Sequence, residues 1–196
     1  MGRVVVTEFV SLDGVMEDPG GAEDFEHGGW VFEFERGEDG DRFKLDEILG
    51  AEAHLLGRVT YEGFAAAWPN YSDEVGFAAK MNSMPKYVLS STLEQGSWEN
   101  STVLRGDAAA EAAKLKAQVA GDILVEGSAS LVYALQDADL VDEYRLMVFP
   151  TVLGSGKRLF RDGARPGGME LVEARQAGAT GILTLRPVHE EAPAAA

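Results

Sequence analysis

The stretch Ile123-Leu124-Val125-Glu126-Gly127-Ser128-Ala129-Ser130-Leu131-Val132-Tyr133-Ala134-Leu135 decides how this chain is read. Ile123, Leu124 and Val125 form a short apolar, mostly β-branched run that suits a buried strand. Gly127 permits a tight turn and lets a ligand approach the backbone. Ser128 is a favourable N-cap, and Leu131, Tyr133 and Leu135 continue as helix. A helix N-terminus directly after a sheet strand offers free N–H groups to a phosphate. The same pattern also describes an ordinary strand-to-helix connection, so the flanking sequence has to decide between the two.

Upstream, Arg3–Ser11 is rich in Val and reads as a strand, followed by the turn signal Asp13-Gly14. Residues 17–29 are acidic and glycine-rich and read as a surface loop, with Trp30, Phe32 and Phe34 at its end as core anchors or pocket walls. The spacing predicts a helix over 41–49, a strand over 53–56, a turn at 57–60 and a helix over 61–68 closed by Pro69. A short helix over 74–81, strands over 86–90 and 101–104, and an alanine-rich helix over 108–120 follow. Downstream, Glu143–Phe149 places Tyr144, Leu146 and Val148 on one face of a strand and Arg145, Met147 and Phe149 on the other. Residues 169–176 and 180–186 read as a closing antiparallel pair. Residues 189–196 read as a disordered tail beyond a single domain over 1–188. Strands alternating with helices and then closing as a hairpin imply an α/β fold: a mixed, mostly parallel sheet with an antiparallel C-terminal edge.

Composition narrows the function classes. A length of 196 residues supports one domain with a substantial core. The net charge of −16 disfavours nucleic acid and anionic membranes as partners. No cysteine is present, which removes disulfides, thiolate nucleophiles and cysteine-ligated metals. His27, His54 and His189 stand apart with no metal-ligand spacing, so no metal is expected. No window approaches a membrane span and the N-terminus lacks a secretory signal, so the expected compartment is the cytoplasm. The dinucleotide fingerprint Gly-x-Gly-x-x-Gly does not follow any strand, and Gly156-Lys157 lacks the rest of a P-loop. No Gly-x-Ser-x-Gly nucleophile elbow occurs.

Three predicted strands end in residues suited to anions: Leu55-Leu56-Gly57-Arg58-Val59-Thr60, Val88-Leu89-Ser90-Ser91-Thr92, and Val125-Glu126-Gly127-Ser128-Ala129. In an open α/β sheet, ligands sit at the carboxyl ends of the strands. Arg58 offers a planar, permanently charged fork, and the Ser and Thr residues offer hydroxyls. Together they suit one extended phosphorylated ligand.

With Ser11-Leu12-Asp13-Gly14, Lys86-Tyr87-Val88-Leu89-Ser90 and the run from Asp142-Glu143 through Pro150-Thr151-Val152-Leu153-Gly154-Ser155-Gly156 to Leu159-Phe160, these motifs occur in family order over residues 3–187. The chain resembles the dihydrofolate-reductase-like superfamily, and within it stand-alone relatives of the reductase domain of the bifunctional riboflavin-biosynthesis deaminase-reductase. The resemblance implies a three-layer α/β/α fold and an NADPH-dependent reductase that transfers a hydride to a C=O or C=N bond. By matching position it implies that Gly57, Arg58, Val59, Thr60, Ser90, Ser91 and Thr92 surround the adenosine 2′-phosphate and pyrophosphate. The same matching gives Gly127, Ser128, Ala129 and Leu131 the pyrophosphate. It places Asp13 and Gly14 over nicotinamide and substrate, with Asp13 the candidate for orienting or protonating substrate. Trp30, Phe64 and Trp68 are candidate pocket walls. The relatives are commonly homodimers, with the strand Glu143–Phe149 as the expected contact.

The residues also have plainer readings. Arg58 can cap a neighbouring helix or pair with a surface carboxylate, and Thr60 can be the N-cap of the helix at Tyr61. Asp13 can be a turn residue, and Ser90 and Ser91 can satisfy local backbone groups. The sequence also departs from the folate-reducing pattern: Glu126 precedes Gly127 where those members carry two glycines. No single carboxylate among Glu38, Asp39, Asp41, Asp46 and Glu47 aligns with their proton donor. The competing readings are a nucleotide-binding protein without turnover and a dimeric scaffold without cofactor. The substrate stays open between a pterin, a ribityl-aminopyrimidine precursor and another carbonyl compound.

Overall fold

The computed structural model describes residues 1–188; the tail expected over 189–196 lies outside them. One sheet of eight strands runs through the described residues: β1 (Arg3–Ser11), β2 (Ala51–Gly57), β3 (Lys86–Leu89), β4 (Ser101–Leu104), β5 (Asp122–Glu126), β6 (Glu143–Phe149), β7 (Met169–Ala177) and β8 (Thr180–Pro187). Their order across the sheet is β4-β3-β2-β5-β1-β6-β8-β7. The first six in that order are parallel, β8 runs antiparallel to β6, and β7 runs antiparallel to β8.

Alternation along each strand builds the two cores. On one face Val4 and Val6 of β1, Leu55 of β2, and Ile123 and Val125 of β5 meet α4 (Ala108–Gln118) and α5 (Ala129–Asp137) through Leu115, Val132 and Leu135. On the other face Val5, Leu56, Val88 and Leu124 meet α1 (Gly37–Gly50), α2 (Arg58–Ala67) and α3 (Phe77–Ser83) through Ile48, Tyr61 and Met81. The interior strands of the parallel portion are therefore covered on both sides, which is why β5 reads as a continuous apolar run. The three-layer α/β/α arrangement follows directly.

Three expectations are corrected. Helix α2 begins at Arg58, not Tyr61, because the Thr60 hydroxyl is engaged elsewhere than in capping. Helix α3 begins at Phe77, where the Asp73 carboxylate receives the N–H groups of Gly76, Phe77 and Ala78. Strand β6 is interior, flanked by β1 and β8 and buried along most of its length, so it offers no surface for a subunit contact. The exposed edge is β7, where Leu171 and Val172 face solvent.

One register difference positions the site. The β1–β5 pairing ends at Thr7 opposite Glu126, whereas β1–β6 continues to Ser11 opposite Phe149. The last residues of β1 thus border a crevice that opens where β5 turns into α5. Connections leave the sheet in opposite directions at this point, the usual place for a ligand in an open α/β sheet.

Candidate functional site: two clefts beside the sheet

The carboxyl ends of β2, β3 and β5 enclose a cleft of about 470 Å³. Nine of the residues singled out from sequence line it: Gly57, Arg58, Val59 and Thr60 after β2, Ser90, Ser91 and Thr92 after β3, and Ser128 and Leu131 after β5. Ser130, Ala108 and Leu89 complete the wall. Gly127 and Ala129 do not line it.

Ser128 holds the turns together. It sits at the N-cap of α5 with φ 58°, but its hydroxyl does not cap the helix. That hydroxyl accepts from the Gly57 N–H at 2.8 Å and donates to Thr60 Oγ1 at 2.9 Å. Gly127 adopts φ 59°, and a Cβ there would meet Thr60 Oγ1 at 2.9 Å, so the turn requires glycine. Neither α2 nor α5 has a side-chain cap, so both helix N-termini present backbone donors toward the cleft. Ser90 Oγ accepts from the N–H groups of Thr92 and Leu93, and Arg105 donates to the carbonyls of Ser91, Leu93 and Glu94, which fixes the loop after β3. The Arg58 guanidinium is half-exposed and bonds Glu62 at 2.7 Å one helical turn on.

The loop after β1 is fastened and its acid is engaged. Asp13 accepts from the Ser11 hydroxyl at 2.7 Å and from the N–H groups of Leu153 and Gly154 at 3.1 and 2.9 Å. The Ser11 bond first, and then the two backbone donors, outweigh burial and hold its carboxyl at about 2. A carboxylate so held clasps the 150–154 segment and is a poor proton donor. Gly14 makes the turn beside it at φ 80°. Trp30 is 3% exposed, meets Phe149 edge-on at 5.3 Å and donates its ring N–H to the Glu17 carbonyl. It is a core anchor and presents no wall to a ligand.

On the opposite face of the sheet, α1, the end of α2 and the 71–77 segment enclose a second cleft of about 860 Å³. Trp68 lines it, stacked on Phe77 with ring centroids 5.3 Å apart. Phe64 lies behind, between Trp68 and His54. Lys44 also lines this cleft and carries its ammonium into the sheet centre. Its Nζ bonds Glu47 at 2.5 Å and Thr7 Oγ1 at 2.8 Å and stands 3.5 Å from Glu126 Oε1. Thr7 donates to Glu47 at 2.8 Å, and His54 Nε2 stands 3.2 Å from the other Glu126 oxygen.

Burial pushes the Glu126 carboxyl up, but Lys44 and the His54 ring more than compensate and hold it at about 2. Burial pushes the Lys44 ammonium down, and Glu47 and Glu126 outweigh that, leaving it raised. Glu126 therefore turns toward Lys44 and His54. Glu8, the next residue after Thr7, is buried with Oε1 unpartnered among the described residues. Burial and then the charge of Glu126 push its carboxyl well above the usual range.

Thr7 and Lys44 were not singled out from sequence, Glu47 only as one of five acids without an alignment, and His54 only as a histidine without metal-ligand spacing. Their only signal is polarity at inward-facing positions of apolar runs, as in Val-Val-Val-Thr-Glu-Phe-Val and Ala-His-Leu-Leu. Among the described residues no group of three or more His, Asp or Glu is arranged to hold a metal, and no helix is long and apolar enough to cross a membrane.

Comparison with known proteins agrees with this fold. Two uncharacterized proteins of Bacillus subtilis strain 168 are similar in sequence. YwjB is 32% identical over 162 residues, covering 82% of this chain and 83% of its own length. YyaP is 30% identical over 177 residues, covering 88% of each. Among solved structures, a putative riboflavin biosynthesis protein from Shewanella sp. PV-4 superposes with a TM-score of 0.73 at 19% identity, over 95% of this chain and 99% of that one. The diaminohydroxyphosphoribosylaminopyrimidine deaminase/5-amino-6-(5-phosphoribosylamino)uracil reductase of Thermotoga maritima superposes with a TM-score of 0.60 at 16% identity, over 95% of this chain and 57% of that one. The model of the RibD C-terminal domain matches residues 3–183, and the chain belongs to that family.

Proposed function

We propose that this chain is an NADPH-dependent reductase that delivers a hydride to a C=O or C=N bond of a small molecule. The observation that carries the reading is the first cleft, rich in hydroxyls, backbone donors and one arginine fork, at the carboxyl ends of β2, β3 and β5. Two residues before Ser128, Glu126 stands 3.5 Å from the buried Lys44 ammonium.

The residues of the first cleft fit a dinucleotide bearing an extra phosphate. Two uncapped helix N-termini, with Ser128 and Ser130 on the wall beside the second, suit a pyrophosphate. Arg58 with Ser90, Ser91 and Thr92 suits a 2′-phosphate. When bound, the cofactor supplies the hydride from its nicotinamide ring. Lys44 keeps its proton at Nζ, donated to Thr7, Glu47 and Glu126, and its positive charge favours negative charge developing on the acceptor oxygen or nitrogen. Glu47, Glu126 and Thr7 fix the position of that ammonium, and Asp13 keeps the loop after β1 closed over the crevice.

A titration of the purified protein with NADPH and NADH, followed by tryptophan fluorescence, tests the reading. NADPH binding at micromolar strength, with NADH at least about tenfold weaker, is the expected result, a gap of roughly 1.4 kcal/mol. Absence of binding by either dinucleotide removes the reading.

A further inference from the structure

We propose that the second cleft takes a flat ring compound that is uncharged or cationic, and that it discriminates against the same ring bearing a phosphate. This rests on the reductase reading for the reaction, but the preference belongs to the cleft itself.

The shape comes from the wall. Trp68 stacks on Phe77 at 29°, and Tyr71 meets Trp68 edge-on at 5.6 Å, so an aromatic surface runs along one side. Such a surface favours a planar partner of comparable size. The volume of about 860 Å³ exceeds what one small ring fills, leaving room for a substituent.

The charge comes from an accounting of the lining. Three cations and four carboxylates line this cleft, and most are already engaged. Arg36 bonds Asp41 at 2.5 Å. Lys44 is enclosed by Glu47 and Glu126, two further carboxylates behind the wall. Asp73 receives three N–H groups at the start of α3, so the chain's own carboxylate already sits where backbone donors would meet an anion. What remains is Arg42 against Glu38 and Asp46. A phosphate arriving here meets a surplus of negative charge and no vacant cluster of donors. The contrast with the first cleft, lined by Arg58 and no carboxylate, is direct.

Riboflavin and flavin mononucleotide are a matched pair of probes, with the same ring and side chain and one phosphate between them. The protein is saturated with NADP⁺, which fills the first cleft without reducing the flavin, and flavin fluorescence is followed. Riboflavin quenches on binding, and flavin mononucleotide binds at least about tenfold more weakly. Trp68→Ala abolishes the quenching, and the double variant Glu38→Gln/Asp46→Gln narrows the gap between the two flavins. Equal or tighter binding of flavin mononucleotide overturns the proposal. So does an absence of riboflavin binding, or a gap that the double variant leaves unchanged. If NADP⁺ itself does not bind, the reductase reading fails. The same titration on the free protein, with Trp68→Ala as the control for location, still reports the preference of the cleft.

Discussion

Ser128 and Thr60 are joined by a 2.9 Å hydrogen bond that ties the end of β5 to the first turn of α2, 68 residues away in sequence. The same Ser128 hydroxyl accepts from the Gly57 N–H. One side chain therefore sets the distance between two of the three turns that wall the proposed cofactor cleft. Removing it leaves a part-buried N–H and a part-buried hydroxyl without their partner. Ser128→Ala is expected to lower the free energy of unfolding by about 1–2 kcal/mol in a urea titration. It also weakens NADPH binding, because the turns lose their spacing. Thr60→Val, which leaves the Ser128–Gly57 bond intact, costs less.

Gly127 is constrained twice, by φ 59° and by the 2.9 Å approach a Cβ would make to Thr60 Oγ1. Gly127→Ala is expected to cost about 1–3 kcal/mol of stability and to displace α5 from the cleft. Thermal unfolding checks the first effect, and cofactor titration of the folded fraction checks the second.

Glu8 gives the stability a pH dependence of unusual sign for a carboxylate. Its ordinary value is 4.5, and burial followed by the charge of Glu126 raises it well above that in the folded chain. Above the ordinary value the unfolded chain loses this proton while the folded chain keeps it. The stability owed to Glu8 is thus fully present below 4.5 and declines as pH rises toward the raised value. Glu8→Gln keeps the shape and removes the proton. The variant is expected to gain stability relative to the parent as pH is taken from about 5 to about 8. Parallel denaturation curves at the two pH values check it, and an unchanged difference contradicts it.

Lys44 is the counter-ion of two buried carboxylates, Glu47 at 2.5 Å and Glu126 at 3.5 Å. Lys44→Met leaves both without it, and a loss of about 3–5 kcal/mol is expected. Lys44→Met combined with Glu47→Gln recovers part of that loss, since one stranded charge is removed. The non-additivity is read from a double-mutant cycle in urea. Under the reductase reading, Lys44→Arg keeps the charge and the fold but moves the proton, so turnover falls while NADPH affinity stays.

These residues differ in how far the sequence announces them. Gly57-Arg58-Val59-Thr60 and Gly127-Ser128 are legible because turn chemistry is local: Gly57 to Thr60 and Ser128 line the first cleft, and Gly127 makes the turn that places Ser128 there. The strands β1 and β6 are legible in full because their residues are buried on both faces, and β4 because β-branched Thr102 and Val103 suit a strand. Thr60 misleads because Ser and Thr favour N-caps, whereas its hydroxyl is claimed by Ser128 from across the sheet. The Lys44–Glu126 contact spans 82 residues and leaves no local pattern. Only the pairing of β1 with β5 brings Thr7 beside Glu126 and gives that ammonium its place. Asp13 shows the converse: a turn residue whose partners, Leu153 and Gly154, lie 140 residues away and convert it into a clasp.

Arg58 separates the cofactor reading from its alternatives. Its guanidinium is half-exposed at the cleft and, among the described residues, paired with Glu62, a surface pair of little energetic weight. Arg58→Ala is therefore expected to leave stability nearly unchanged. If the fork receives the 2′-phosphate, the same change weakens NADPH by at least about tenfold and NADH by much less, so the preference between the two collapses. Arg58→Lys keeps the charge and loses the bidentate geometry, which places its affinity between those of the parent and the alanine variant. Rising salt erodes NADPH affinity in the parent more than in Arg58→Ala, because the exposed charge contributes less when screened. Glu62→Gln releases the guanidinium from its pair and leaves NADPH binding equal or tighter. Equal losses for both dinucleotides in Arg58→Ala would show that Arg58 only caps or braces the turn, and the extra phosphate would then have to be sought at Ser90 to Thr92.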